Sequence, residues 1–169
     1  MKWFWKYGLA VVGGILIGTS FASCGHQAGT VTVDNDLSFN FVSGTENSPH
    51  RLLEVRINGP ILNSSIGGFG GLDAVTYGYD IQRLLDQVSR DQKIKGLLLR
   101  FSTPGGTIVG SNAIYEAIVA YRQATKKPVI AYVEGLSASG GVLSMVGADA
   151  IYAAPGSLIG SIGVIGPRL

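Results

Sequence analysis

The sequence has little of what several common classes of protein depend on. Its 169 residues include a single cysteine, so no disulfide framework can form within the chain. Only 14% of the residues are charged and the net charge is +2, which gives no support for nucleic-acid binding. The only histidines, His26 and His50, have no second cluster of ligands beside them and are interpreted as solvated linker residues. We therefore expect no metal site and no cofactor.

The first 24 residues have the pattern of a signal or anchor segment. Lys2 and Lys6 precede an uncharged stretch from Tyr7 to Ser23. This stretch is marginal in length for a membrane span, which needs roughly 17–25 residues. The two lysines favour a cytoplasmic N-terminus, which predicts that the rest of the chain lies outside the cytoplasm.

Three outcomes for this segment stay open on the sequence alone. It can remain as a signal anchor, or it can be a plain cleaved signal peptide. It can also be a lipoprotein signal, because Phe21-Ala22-Ser23-Cys24 resembles a bacterial lipobox in which Cys24 is acylated. Phe21 stands where an aliphatic residue is more usual, and an unmodified Cys24 is the simpler alternative. We expect a domain at a bacterial cell membrane that faces the periplasm or the exterior.

The remainder of the chain divides into a linker and one folded domain. Residues 25–51 are polar and interrupted by Gly, Ser and Pro, as in a linker, and the domain is expected over residues 52–169. Apolar patterning predicts strands at 52–57, 96–101, 129–133 and 150–154, and helices at 79–91, 108–124 and 142–150. This alternation predicts an α/β fold with a mainly parallel sheet, and the fully apolar strands predict a sheet that is covered on both faces.

Two glycine-rich turns each follow a predicted strand and precede a predicted helix. In the turn from Gly135 to Gly141, a serine can be exposed as a nucleophile while the next residue points its N–H at an oxyanion. The N-terminus of the following helix would add a favourable partial charge. The turn from Thr103 to Gly106 can present a second N–H to the same oxygen. Two ordinary turns between strands and helices are the alternative interpretation.

Three segments together resemble the S49 peptidases, the signal peptide peptidase A family, within the Clp-protease/crotonase superfamily. They are 97–106 (LLLRFSTPGG), 128–141 (PVIAYVEGLSASGG) and 148–166 (ADAIYAAPGSLIGSIGVIG), and their order and spacing also match. The resemblance covers roughly residues 52–166 and implies a spiral of ββα units. It implies Ser139 as the nucleophile, with Ser137 as the competitor, and Gly140 and Gly106 as oxyanion-hole donors. The family commonly has serine where this chain has Thr103, a change that leaves the backbone donors in place.

The same resemblance implies a base that these residues do not supply. The S49 family uses a Ser-Lys dyad, but no lysine follows Ser139 and no histidine follows His50. Lys126 and Lys127 precede the strand that leads to Ser139 and are interpreted as surface charge. The base is therefore expected to be a lysine beyond Leu169, and the chain to be the N-terminal part of a longer protease that is inactive alone. A shortened, inactive protein is the alternative.

The function implied is a membrane-associated serine endopeptidase, with leftover signal peptides as candidate substrates. Membrane attachment would be through residues 1–24, and the full-length protein is expected to form a homo-oligomer. A catalytically inactive, membrane-tethered binding or assembly module of the same fold is the first alternative. A crotonase-like acyl-CoA enzyme is the second, and a serine at the nucleophile position argues against it.

Overall fold

The computed structural model describes residues 39–45, 48–64 and 75–163. The predicted signal segment and most of the predicted linker lie outside these residues. The architecture below is that of the compact unit that begins at Gly44. Its elements in chain order are β1 (Arg51–Asn58), β2 (Ile61–Leu62), β3 (Thr76–Tyr77), α1 (Gly78–Ser89), β4 (Ile94–Thr103), α2 (Ile108–Thr125), β5 (Val129–Ala138), α3 (Gly140–Met145), β6 (Ala150–Ala153) and β7 (Leu158–Gly160).

A parallel sheet with the strand order β1-β4-β5-β6 forms the centre of the fold. Val55 pairs with Leu99, and Leu99 pairs with Ala131, so the three long strands lie in register. β6 pairs with the first half of β5, and β7 pairs with its last three residues. β2 and β3 form a separate two-stranded sheet. The predicted α/β fold with a mainly parallel sheet is confirmed.

The core lies between this sheet and its helices. Alternate residues of each strand point toward the helices, as the two-residue period of a strand requires. The strand side chains of the core are Leu53, Val55, Ile57, Leu97, Leu99, Phe101, Val129, Ala131 and Val133, and their main helical partners are Ile81, Leu85, Val88, Ile114, Ile118 and Tyr121. Burying an aliphatic or aromatic side chain of this size stabilises the fold by about 1.5–3 kcal/mol, so this one cluster holds the layers together.

The opposite face of the sheet differs from the prediction that both faces would be covered. Within the described residues this face carries an ion cluster, in which Arg100 on β4 bonds Glu54 on β1 at 3.1 Å and also pairs with Glu134 on β5. The hydrogen bond from Arg56, and then that from Arg100, lowers the pKa of Glu54. Ile130 on the same face is 37% exposed. The unbroken apolar runs therefore did not indicate a sheet that is covered on both faces. On this face, charged side chains of neighbouring strands lie beside the apolar ones.

The elements around residue 139 also differ from the prediction. β5 extends to Ala138 rather than ending at residue 133, so the turn before the helix is reduced to Ser139. α3 ends at Met145 rather than continuing to residue 150. Asp149 explains the early end, because its carboxylate and its backbone N–H bond the backbone N–H and C=O of Val129, each at 2.8 Å. These bonds hold the chain after α3 against the start of β5.

Nothing in residues 39–45, 48–64 or 75–163 forms a helix that is both long enough and apolar enough to cross a membrane. The segment that was predicted to reach the membrane, residues 1–24, is not among them.

Candidate active site

Ser139 lies at the junction between β5 and α3 in an unusual backbone conformation. Its φ is 50° and its ψ is −116°, a region that side chains other than glycine rarely adopt and that costs of order 1–3 kcal/mol. The neighbouring structure maintains it: the Ser139 N–H donates to Gly160 O on β7 at 3.0 Å, and Ser139 O accepts from the N–H of Val142 at 3.0 Å. Ser139 is half-buried, and its hydroxyl does not cap α3. A strained strand-to-helix turn with a free hydroxyl is the form that a serine nucleophile takes.

Ser137, the competing nucleophile, lies in a different environment. Its side chain is fully buried within β5, and its hydroxyl donates to Met145 Sδ at 3.5 Å. A nucleophile must reach the carbonyl carbon that it attacks, and a residue with no exposed surface does not do so without local opening. The geometry therefore favours Ser139.

The loop after β4 packs directly against this turn. Gly105 has φ of 90°, and a Cβ on it would lie 2.6 Å from Gly140 N and 3.0 Å from Ser139 Cβ. Gly106 is pressed equally closely against β2, because a Cβ there would overlap Ile61 O. Only glycine permits these approaches. The contacts of Gly105 with Ser139 and Gly140 bring the two glycine-rich turns to one place in the fold.

The N–H groups of Gly106 and Gly140 come together beside Ser139. A Cβ on Gly140 would lie 3.2 Å from Gly106 N, which shows how closely the two peptide units approach. Neither N–H donates a hydrogen bond to any other residue that the structure describes. α3 has only six residues, so the argument depends on the two N–H groups and not on a helix dipole. Two free, adjacent donors next to a hydroxyl can bind an oxyanion.

Thr103 shapes the loop that carries Gly106. Its side chain is fully buried, donates to Gly59 O at 2.6 Å and accepts from Gly105 N–H at 3.0 Å. Threonine therefore places a hydroxyl at the position where the S49 pattern commonly has serine. The loop turns tightly because this hydroxyl satisfies both backbone groups.

No lysine or histidine among the described residues lies near Ser139. The described lysines stand just before or at the amino ends of β4 and β5, at positions Lys93, Lys95, Lys126 and Lys127. β5 is ten residues long, so its two ends are separated by about 30 Å. Lys127 donates from Nζ to Asp91 O at 2.8 Å at that distant end. His50 directly precedes β1, whose first residue pairs with the first residue of β4, so it also lies at the distant end.

That distant end also carries an open depression of about 560 Å³, which is lined by Arg122, Lys126 and Asp149 among others. Its position separates it from Ser139 by the length of β5. In the part of the chain that the structure covers, no three His, Cys, Asp or Glu side chains are grouped as metal ligands would be.

The structure adds residues that the sequence patterns did not single out. Ile61 fixes Gly106 by donating its N–H to Gly105 O at 2.9 Å and accepting from Thr107 N–H at 2.8 Å. Ser111 and Ser144 lie fully buried behind Gly140. Serines inside helices give no periodic signal, and the two residues of β2 are too few for any pattern, so none of these was recognisable in advance.

Comparison with known proteins shows which proteins this chain resembles. Residues 121–168 match the model of peptidase family S49. The chain is 41% identical over 76 residues to protease 4 of Salmonella typhi, covering 45% of this chain and 12% of that protein. It is 32% identical over 119 residues to protease 4 of Haemophilus influenzae, covering 70% of this chain and 18% of that protein. These matches confirm the resemblance to peptidase family S49 that was seen in the sequence.

A solved structure extends the comparison to three dimensions. A mutant of the 1510-N membrane-bound stomatin-specific protease superposes with a TM-score of 0.52 at 26% identity, covering 69% of this chain and 49% of that one. The matched stretch therefore spans less than a fifth of either protease 4 and about half of the solved protease.

Proposed function

We propose that this chain carries the nucleophile and the oxyanion hole of a membrane-associated serine endopeptidase with a Ser-Lys dyad. The observation that supports the proposal most is the meeting of two glycine-rich turns, which brings the free N–H groups of Gly106 and Gly140 beside the strained Ser139. The two N–H groups follow different strands, β4 and β5, and two unrelated turns would not be expected to bring them together.

In this mechanism the hydroxyl of Ser139 attacks the carbonyl carbon of a peptide bond. The N–H groups of Gly140 and Gly106 donate to the oxygen as it gains negative charge, and water later hydrolyses the acyl-enzyme. The base is a lysine whose pKa is lowered by burial, so that its neutral amine accepts the proton of Ser139. That lysine is supplied by residues outside those described, and in our proposal it follows Leu169.

The substrates we propose are extended peptides, with signal peptides as the first candidates. Two of the similar proteins are named protease 4 and stomatin-specific protease, which supports proteolysis as the activity. Residues 1–24 would attach the protein to a bacterial cell membrane, with Cys24 as a candidate lipidation site, and 25–51 would link them to a peptidase domain that begins at residue 52. The domain would face the periplasm or exterior, and full-length copies would assemble into a homo-oligomer.

Peptide hydrolysis tests this proposal. In the complete gene product, Ser139→Ala should abolish turnover of a fluorogenic peptide, whereas Ser137→Ala should retain much of it. Residues 1–169 alone should show no Ser139-dependent turnover, because members of a catalytic unit act together and the base is missing. Turnover by residues 1–169 comparable with that of a full-length homologue would contradict the assignment of the base.

A non-catalytic module of the same fold is the second candidate. The observation that favours it is the absence of a lysine or histidine near Ser139 among the described residues. A complete gene product that binds peptides but turns none over, with or without Ser139, would establish this alternative.

A further inference from the structure

Ser144 is placed where it can control the spacing of the two N–H donors. It lies in α3, has no exposed surface, and its Oγ is 2.8 Å from Gly140 O and 3.1 Å from Ser111 O. The first contact is within α3, and the second is to α2. Both carbonyls accept from the single proton of this hydroxyl, so the bond is shared between the helix that begins at Gly140 and the helix that follows the Gly106 loop.

The other end of this connection leads back to Gly106. α2 begins directly after Thr107, whose side chain caps it by accepting from Gly110 N–H at 3.1 Å. Ser111 follows Gly110 directly, so its carbonyl belongs to the first turn of α2. The path from Gly106 through the capped turn to Ser111 O, Ser144 Oγ and Gly140 is short, and its two contacts through Ser144 are buried.

Packing alone does not account for a serine at this position. A serine that bonds the carbonyl four residues earlier slightly destabilises a helix, and alanine is a better helix former. A fully buried hydroxyl also loses its hydration, which costs free energy unless it is bonded. The side chain of Ser111 adds a second buried hydroxyl at the same place, and it has no hydrogen-bond partner in the described residues. The unpartnered hydroxyl of Ser111 and the helix-disfavouring serine at position 144 therefore each have a cost that packing alone does not explain.

We propose that Ser144 is a positioning residue that holds the N–H groups of Gly106 and Gly140 at one spacing by linking α3 to Ser111 O. This inference rests on the proposed function for its catalytic consequence, but the geometric link exists independently of catalysis. Ser144 itself is buried and does not contact the substrate.

The primary test is the backbone amide spectrum of the ¹⁵N-labelled chain. Ser144→Ala should shift the amide resonances of Gly140 and also of Gly106, which lies on another loop and does not touch Ser144. The matched control is Thr125→Ala, because Thr125 Oγ1 makes the same kind of bond, to Tyr121 O at 2.8 Å, at the far end of α2. This control should leave Gly106 unmoved.

The catalytic consequence is tested in the complete gene product with a fluorophosphonate. Ser144→Ala should slow labelling of Ser139 about tenfold, less than the 10²–10³ that follows deletion of a donor, because the donor is displaced but still present. Ser144→Cys, which keeps a weak donor, should recover part of the rate.

An unshifted Gly106 resonance in Ser144→Ala, or an equal shift in Thr125→Ala, would overturn the inference. So would labelling at the wild-type rate in Ser144→Ala. A wild-type protein that is not labelled at all would contradict the proposed function instead, and the amide spectra would still decide whether Ser144 couples the two donors.

Discussion

Gly140→Ala is the substitution whose effect follows most directly from the packing of the site. The φ of Gly140 is not in the left-handed region, so alanine fits the backbone and the penalty is steric. The new Cβ would overlap Ser111 Oγ and lie 3.0 Å from Ser111 Cβ. Overpacking of a buried site costs about 1–3 kcal/mol, while the change from glycine to alanine gains about 0.4–1 kcal/mol through the unfolded state. We expect a net destabilisation of about 1–2 kcal/mol.

A double-mutant cycle isolates the clash. Ser111→Ala removes the Oγ that the new methyl would overlap and leaves the 3.0 Å contact with Ser111 Cβ and the 3.2 Å contact with Gly106 N. Gly140→Ala should therefore cost less in the Ser111→Ala background, with a coupling of about 1 kcal/mol. Gly163→Ala is the control for the glycine-to-alanine change itself, because no atom of the described residues lies within 4 Å of its Cβ position.

Denaturant unfolding of the four members of the cycle and the control measures these differences. Midpoints should follow the predicted order while the slopes stay constant, which keeps the comparison one of stability alone. Equal costs of Gly140→Ala in both backgrounds, to within about 0.3–0.5 kcal/mol, would refute the packing of Ser111 against Gly140. So would a cost no greater than that of Gly163→Ala.

The remaining predictions concern the second donor and the end of α3. Gly106→Ala should lower the denaturation midpoint, because the Cβ would overlap Ile61 O and disturb two backbone hydrogen bonds of about 0.5–1.5 kcal/mol each; Gly106→Pro in the complete enzyme should lower kcat by a factor on the order of 10²–10³. Asp149→Asn should weaken the dependence of stability on pH below about pH 5. The hydrogen bond from Val129 N–H lowers the pKa of Asp149, so the unfolded chain binds more protons between the folded pKa and the ordinary value, and wild-type stability falls as the pH drops through that range. Midpoints measured between pH 3 and pH 6 should show a shallower fall in the variant, and equal slopes would contradict this account.

Local patterns in the sequence predicted the larger elements well. The helix predicted at 108–124 is observed as Ile108–Thr125, because apolar residues recur on one face and Thr107 supplies the N-cap. The predicted end of α3 was wrong, because the observed end depends on the hydrogen bond between Asp149 and Val129, which are twenty positions apart. β7 was missed for a similar reason: its three residues are defined by pairing with the end of β5.

The candidate site was only partly recognisable in advance. Glycine-rich turns after apolar strands suggested a serine nucleophile with two N–H donors, and the resemblance to the S49 peptidases implied that these are Ser139, Gly140 and Gly106. Their convergence depends on β4 and β5 being neighbours in the sheet, which only the three-dimensional structure displays. Ser111 and Ser144 bond or touch backbone atoms of other elements, so nothing in their sequence neighbourhood marks them.

The most direct test of the central claim is the site of covalent labelling in the complete gene product. After treatment with a fluorophosphonate, tryptic peptides are mapped by mass spectrometry. We predict a single adduct on Ser139, which is lost in Ser139→Ala and greatly slowed in Gly106→Pro, because both an accessible hydroxyl on a strained turn and two N–H donors are required. An adduct on Ser137, or labelling of Gly106→Pro at the wild-type rate, would contradict the account.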